Sequence, residues 1–97
     1  MNRYQSASEE FGTVHFKDVE YALTAQADFT NRLLPGGYTN FIDAKEGETY
    51  DFELSADAID SDENKYTVYW IFEAVKGENG AELDSFDYDL VDRVGEA

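Results

Sequence analysis

One histidine and no cysteine leave this 97-residue chain few side chains for binding a transition metal or attacking a substrate. His15 stands between Val14 and Phe16 in an alternating segment, which places it on the polar side of a strand. A zinc centre takes three or four nitrogen or sulfur ligands, and one His without Cys argues against it. No spacing around His15 supports a Ser-His-Asp relay. Asp60-Ser61-Asp62-Glu63-Asn64 opens like a calcium loop, but such a loop also needs Gly at its sixth position and Glu at its twelfth. Those positions hold Lys65 and Ile71, so a plain hairpin turn is the reading. Carboxylates are abundant, yet a hydrolytic pair must flank a cleft, and a single small sheet offers little of one. Phosphate-binding and dinucleotide glycine patterns are absent. The expectation is no enzyme, no metal and no cofactor.

What remains is the acid itself. The chain carries 22 Asp and Glu against seven Lys and Arg, a formal net charge of -15. Asp51, Glu53 and Asp57 share one face of a predicted strand. Same-face neighbours on a strand lie about 6.6–6.8 Å apart, twice the roughly 3.4 Å rise per phosphate of one DNA strand. A ladder of carboxylates can therefore follow every second phosphate. Asp43, Glu46 and Glu48 precede this strand, and Asp60, Asp62 and Glu63 follow it. Glu73 is expected directly opposite Glu53, a like-charge pair that costs stability and therefore marks a functional position. Glu78, Glu82, Asp84, Asp87, Asp89 and Asp92 continue the series, with Phe86 and Tyr88 between them as contact anchors.

The elements that must carry these residues are mostly strands. Residues 1–12 show no clear period, and Ser8 is placed to cap a helical turn starting at Glu9. From Thr13 the pattern alternates, and Val19 to Phe29 reads as one long half-buried strand. Residues 31–37 hold the only proline and a Gly pair and form a loop. Residues 38–44 are a short strand candidate, and 45–48 a turn. Residues 50–58 and 66–75 form a hairpin. The expected register sets Ala58 against Val68, Ala56 against Trp70, Leu54 against Phe72 and Phe52 against Ala74. Residues 77–80 are a turn. In the tail, Leu83, Phe86 and Leu90 fit a helical face, while 90–94 fits an edge strand. The predicted fold is a single mainly β domain, an antiparallel meander of about four or five strands with short helices at most. The alternative is α+β, with a helix near 8–12 or in 81–92.

Fifteen aromatic residues separate this chain from acidic disordered sequences, which lack the apolar surface to fold. No segment reaches the roughly 18 apolar residues of a membrane span, and Met1–Glu10 does not read as a signal peptide. Strong negative charge disfavours direct contact with nucleic acid or anionic lipid. Small, cysteine-free, acidic single domains of this kind resemble anti-CRISPR proteins that mimic DNA, from phages and mobile elements. The acidic stretches 43–63 and 78–92 carry the resemblance, and length and character are similar to inhibitors of type I-F surveillance complexes. The resemblance implies a stoichiometric inhibitor, a monomer or homodimer in the bacterial host cytoplasm. It would occupy the Lys- and Arg-lined groove of a Cas complex, a basic DNA-binding protein, and block target duplex. The alternatives are an acidic protein–protein adaptor or virion component, or a halophile cytosolic domain, neither competing with DNA. A mimic folds in ordinary buffer and a halophile domain needs molar salt. The expected outcome is a β-sheet circular dichroism spectrum and a cooperative melt at about 50 mM salt, where exposed charges are only partly screened; a molar-salt requirement favours the halophile.

Overall fold

Gly12 ends a helix and opens a sheet. In the computed structural model, which describes residues 3–77 and 87–97, α1 (Arg3–Phe11) stops where Gly12 takes φ +87 and donates its N–H to the Ser8 carbonyl at 3.1 Å. The Gly12 carbonyl then accepts the Leu23 N–H at 3.0 Å. A residue lacking Cβ adopts this left-handed conformation at little cost. The helix starts earlier than Glu9, and Ser8 lies inside it rather than capping it. Its buried side is a single small residue, Ala7, packed with Ala22 and Ile59 beside Tyr4. So small an apolar stripe left no visible period.

The alternating segment after Gly12 is a hairpin, β1 (Thr13–Phe16) and β2 (Val19–Leu23), with Phe16 opposite Val19. Its two-residue turn is Lys17-Asp18, with φ 51 and 65. Positive φ at both positions is the type I′ turn that matches strand twist. Lys-Asp is not the Asn-Gly or Asp-Gly that usually announces it. The expected continuous strand to Phe29 is also divided. β2 pairs with β4 (Thr49–Ile59) through Ala22–Ile59 and Leu23–Ala58, while β3 (Asp28–Phe29) pairs with Ser55 and Leu54 of the same strand. Between them, the segment around Ala25–Ala27 inserts two extra residues against β4. An even insertion preserves parity, so Leu23 and Phe29 keep the same face and the alternation reads as unbroken.

The central hairpin is β4 with β5 (Lys65–Val75), eleven residues each. Its register is two residues from the expected one: Ala58 faces Tyr66, Ala56 faces Val68, Leu54 faces Trp70 and Phe52 faces Phe72. Faces are conserved under a two-residue slip, so side-chain alternation alone did not discriminate the registers. The loop decides. Asp60 accepts N–H bonds from Asp62 and Asn64 at 2.9 Å each, and the Asn64 amide at 3.1 Å, closing a five-residue connection over 60–64. β6 (Arg93–Glu96) then pairs with β5 from Tyr69–Arg93 to Tyr66–Glu96. The sheet is antiparallel in the order β1-β2-β4-β5-β6, with β3 on the β4 edge. The fold is mainly β; the described residues hold one short helix and a 3-10 turn at Phe41–Asp43 where a strand was expected over 38–44. The expected turn at 77–80, the helical residues Leu83 and Phe86, and the acids Glu78, Glu82 and Asp84 lie outside the described residues, save Gly77.

Val14, Leu54, Val68 and Trp70 are fully buried on one sheet face, with Phe52, Tyr21 and Leu23 around them. The Trp70 indole N–H donates to the Tyr88 carbonyl at 2.8 Å, and the two rings meet edge to face at 5.2 Å. The molecule measures 48 × 26 × 20 Å, and its radius of gyration of 14.7 Å exceeds the about 12.5 Å of a typical domain this long. The turn yields a test by chemical denaturation. Asp18→Gly is expected to be at least as stable as the parent, whereas Asp18→Val, a β-branched residue forced to φ 65, loses about 1–2 kcal/mol. Equal stability of both variants would refute the type I′ geometry.

Candidate functional site

The acids divide by what they touch. Among the described residues, Glu53 is the only buried charged one, 3% exposed. Its Oε1 accepts the Thr30 hydroxyl at 3.0 Å and Arg32 Nε at 3.1 Å. Its Oε2 accepts Arg32 Nη2 at 2.7 Å and Arg93 Nη1 at 2.8 Å. Both carboxylate oxygens are thus doubly bonded, which satisfies a carboxylate's acceptor sites. The Arg93 guanidinium also lies 3.9 Å from the Tyr69 ring centroid, stacked as a cation–π pair. The bond from Arg32, with help from Arg93 and Thr30, outweighs burial and holds the Glu53 carboxyl down to about 2. This corrects the expected ladder. Glu53 faces Ile71 rather than Glu73, and it is spent on ion pairs inside the fold instead of facing a partner.

Asp51 and Asp60, both half-buried, also have internal tasks. The Asp51 carboxylate accepts the Thr39 N–H at 2.9 Å, and its own N–H donates to the Thr39 carbonyl at 2.7 Å, clipping the 30–48 loop to β4. Asp60 organises the hairpin tip; desolvation is the largest single influence and raises its carboxyl, but hydrogen bonds from the Asn64 side chain, the Asn64 and Asp62 N–H groups and the Tyr66 hydroxyl together lower it below the usual range. Glu48 accepts the Lys45 N–H at 2.7 Å, Asp87 the Asp89 N–H at 3.0 Å, and Asp92 lies 3.5 Å from Arg93. Asp43, Glu46, Asp57, Asp62, Glu63, Glu73 and Asp89 are exposed. Asp84 lies outside the described residues.

The like-charge pair falls one step along, at Asp51 opposite Glu73. Together with Asp92 these two line a shallow depression of about 410 Å³, bordered also by Tyr38, Ile71 and Phe72. Among the described residues, no group of three His, Asp or Glu side chains is placed to hold a metal ion. The stretch 43–63 does not form one patch. Asp43, Glu46 and Glu48 stand at the base of the central hairpin and Asp60–Glu63 at its tip, separated by the eleven residues of β4, whose ten steps span about 33 Å. The exposed His15 meets Glu20 across its hairpin at 3.0 Å, and the Tyr4 hydroxyl donates to the same Glu20. That bond, mainly, lowers the Glu20 carboxyl and raises the Tyr4 phenol to about 12.

Beside the acidic depression runs an apolar cleft of about 410 Å³ between the 30–48 loop and β4, with Asp51 on the border of both. Leu33, Phe41 and Ile42 line it at 68%, 55% and 76% exposure. The sequence does not reveal it, because these residues belong to a loop held by distant partners, Arg32 on Glu53, Thr39 on Asp51 and Lys76 on the Phe41 and Ala44 carbonyls among them. Lys76 Nζ donates to the Phe41 and Ala44 carbonyls at 2.9 and 2.8 Å. Comparison with protein-family models, curated proteins and solved structures finds no match.

Removing both arginines strands Glu53 in the sheet, whereas removing Glu53 leaves two half-exposed arginines that water can reach. Arg32→Ala with Arg93→Ala is therefore expected to cost about 3–5 kcal/mol near pH 7, and Glu53→Gln clearly less. The Glu53 carboxyl is depressed in the fold, so its contribution is complete above the unfolded value of 4.5 and is lost as pH falls toward about 2. Denaturation profiles should fall more steeply through that window for the parent than for Glu53→Gln. Parallel profiles would show that the buried carboxylate carries no stability.

Proposed function

We propose that this protein is a DNA-mimic inhibitor that docks by its carboxylates in a basic, duplex-binding groove. The observation that supports this reading is the disposition of exposed acid along a rigid, elongated frame. Net charge -15 over a 48 Å axis is one charge per about 3.2 Å, close to the roughly 3.4 Å spacing of phosphates on one DNA strand. The base-to-tip separation of about 33 Å along the central hairpin approaches one turn of duplex, roughly 34–36 Å. Asp60, Glu48 and Asp51 are held by backbone N–H groups that leave their charge uncancelled, so part of the acid is preorganised before any partner arrives. Glu53, neutralised by its arginines, is excluded from the docking set.

The resemblance to inhibitors of type I-F surveillance complexes makes such a complex the first target to examine, and would place the protein in a bacterial cytoplasm. Among the described residues, no helix is long and apolar enough to cross a membrane. The test is target-duplex binding by a purified type I-F complex, with the parent and with Glu46→Lys/Asp57→Lys/Glu73→Lys. All three positions are exposed, and the last also relieves the repulsion with Asp51. Expected is near-stoichiometric inhibition that fades with salt and weakens by about tenfold or more in the folded variant. No inhibition by a large excess of parent sinks this target, and full inhibition by the folded variant removes these acids from the interface.

A further inference from the structure

Four exposed apolar side chains, Phe29, Leu33, Phe41 and Ile42, line one cleft. Large side chains left exposed together are uncommon in a protein that acts by charge alone. The walls are ordered, which suits a binding surface. Phe41 packs edge to face on Tyr50 at 4.9 Å, and Phe29 lies tilted against Phe52 at 5.5 Å. Asn40 pins the loop by accepting the Leu34 N–H at 2.7 Å and donating to the Leu34 carbonyl at 3.0 Å. The cations nearest the cleft are committed: Arg32 to Glu53, and Lys76 to two carbonyl oxygens and the Phe41 ring at 4.3 Å.

The charge around the cleft selects what can fill it. Asp51 lies on its border and joins it to the depression that also holds Glu73 and Asp92. Asp43 follows Ile42 directly in the 3-10 turn. A second copy of this chain, itself at -15, would bring its acids against these acids. A neutral apolar segment would leave the facing Asp51 and Glu73 carboxylates without a cation, and Asp92 with only its 3.5 Å contact to Arg93. We infer that the cleft seats an apolar segment of a partner protein flanked by Lys or Arg, with the apolar side chains on Leu33, Phe41 and Ile42 and the cations on Asp51, Glu73 and Asp92. The inference rests on the acidic-docking reading and adds a division of labour. Long-range charge sets the encounter rate, while the desolvated apolar contact sets how long the complex lasts.

The test titrates isotope-labelled full-length protein with three synthetic peptides, read by NMR shift changes and fluorescence anisotropy. One carries Leu-Trp-Leu between Lys-Lys pairs, one carries Ser-Gly-Ser between the same pairs, and one carries Leu-Trp-Leu between Ser-Ser pairs. The first is expected to bind about tenfold or more tightly than either control, with the largest shifts at Leu33, Phe41 and Ile42. Leu33→Ser/Ile42→Ser, altering two exposed side chains, should reduce the first peptide to the level of the second and leave the second unchanged. Equal binding of the first two peptides, or no effect of the variant, overturns the cleft while leaving acidic docking intact. Equal binding of the first and third overturns the requirement for flanking charge. Failure of both Lys peptides at low salt overturns acidic docking and the cleft together. A dimer in sedimentation that Leu33→Ser/Ile42→Ser dissolves gives the cleft to a second copy and overturns the inference.

Discussion

Glu53 ties together three parts of the chain that otherwise have little reason to meet. It sits in the middle of β4, the strand that pairs with β2 and β3 on one side and with β5 on the other. Arg32 arrives from the long loop after β3, Arg93 from the first residue of β6, and Thr30 from the end of the β3 pairing. The carboxylate and its arginines stand on the sheet face opposite Trp70, where, among the described residues, no second sheet supplies an apolar cover. Burying a charge there requires near-complete pairing, and two arginines with a hydroxyl provide it. Seven basic residues had to serve 22 acids, and two of the three arginines went to one glutamate. Local charge balance at the sheet thus leaves the rest of the surface with even less neutralisation.

That surplus shapes the molecule. Like charges favour separation, and acids contiguous in sequence are carried to opposite ends of the eleven-residue strands. Where acids stay close, several are stabilised by backbone N–H groups: at the hairpin tip by Asp60, at the base by Glu48, and in the tail by Asp87. These contacts order a carboxylate while keeping its charge. Arg pairing orders and cancels it. The distinction determines which acids remain able to attract a basic partner, and it places Glu53 with the structural residues.

The clip between Asp51 and Thr39, the Arg32 bond to Glu53 and the Lys76 clamp make a wall of a loop whose apolar side chains face outward. The same three contacts bring an apolar cleft against an acidic depression. Attraction over distance and dry contact at close range are then available on adjoining surfaces.

Periodicity alone determined the sheet. Alternation at 13–16, 50–58 and 66–75 identified strands and their inward faces, because one buried face imposes period two whatever the topology. It was blind to changes that preserve parity, namely the two-residue slip in the central hairpin and the two-residue insertion before β3. Turn geometry without glycine hid the break at Lys17-Asp18, and a helix buried through one alanine hid α1. For the candidate site, the sequence supplied the number of acids and the strand face bearing Asp51, Glu53 and Asp57. Which of them stay exposed depended on partners far along the chain. Arg32 and Arg93 lie 21 and 40 residues from Glu53, and nothing local to residue 53 indicates either. Tyr69 and Ile71 on the supposedly polar face of β5 were the one trace of a covered second face. Composition sets the total charge, but only the tertiary structure decided where it is cancelled, because an ion pair is a property of distance in space.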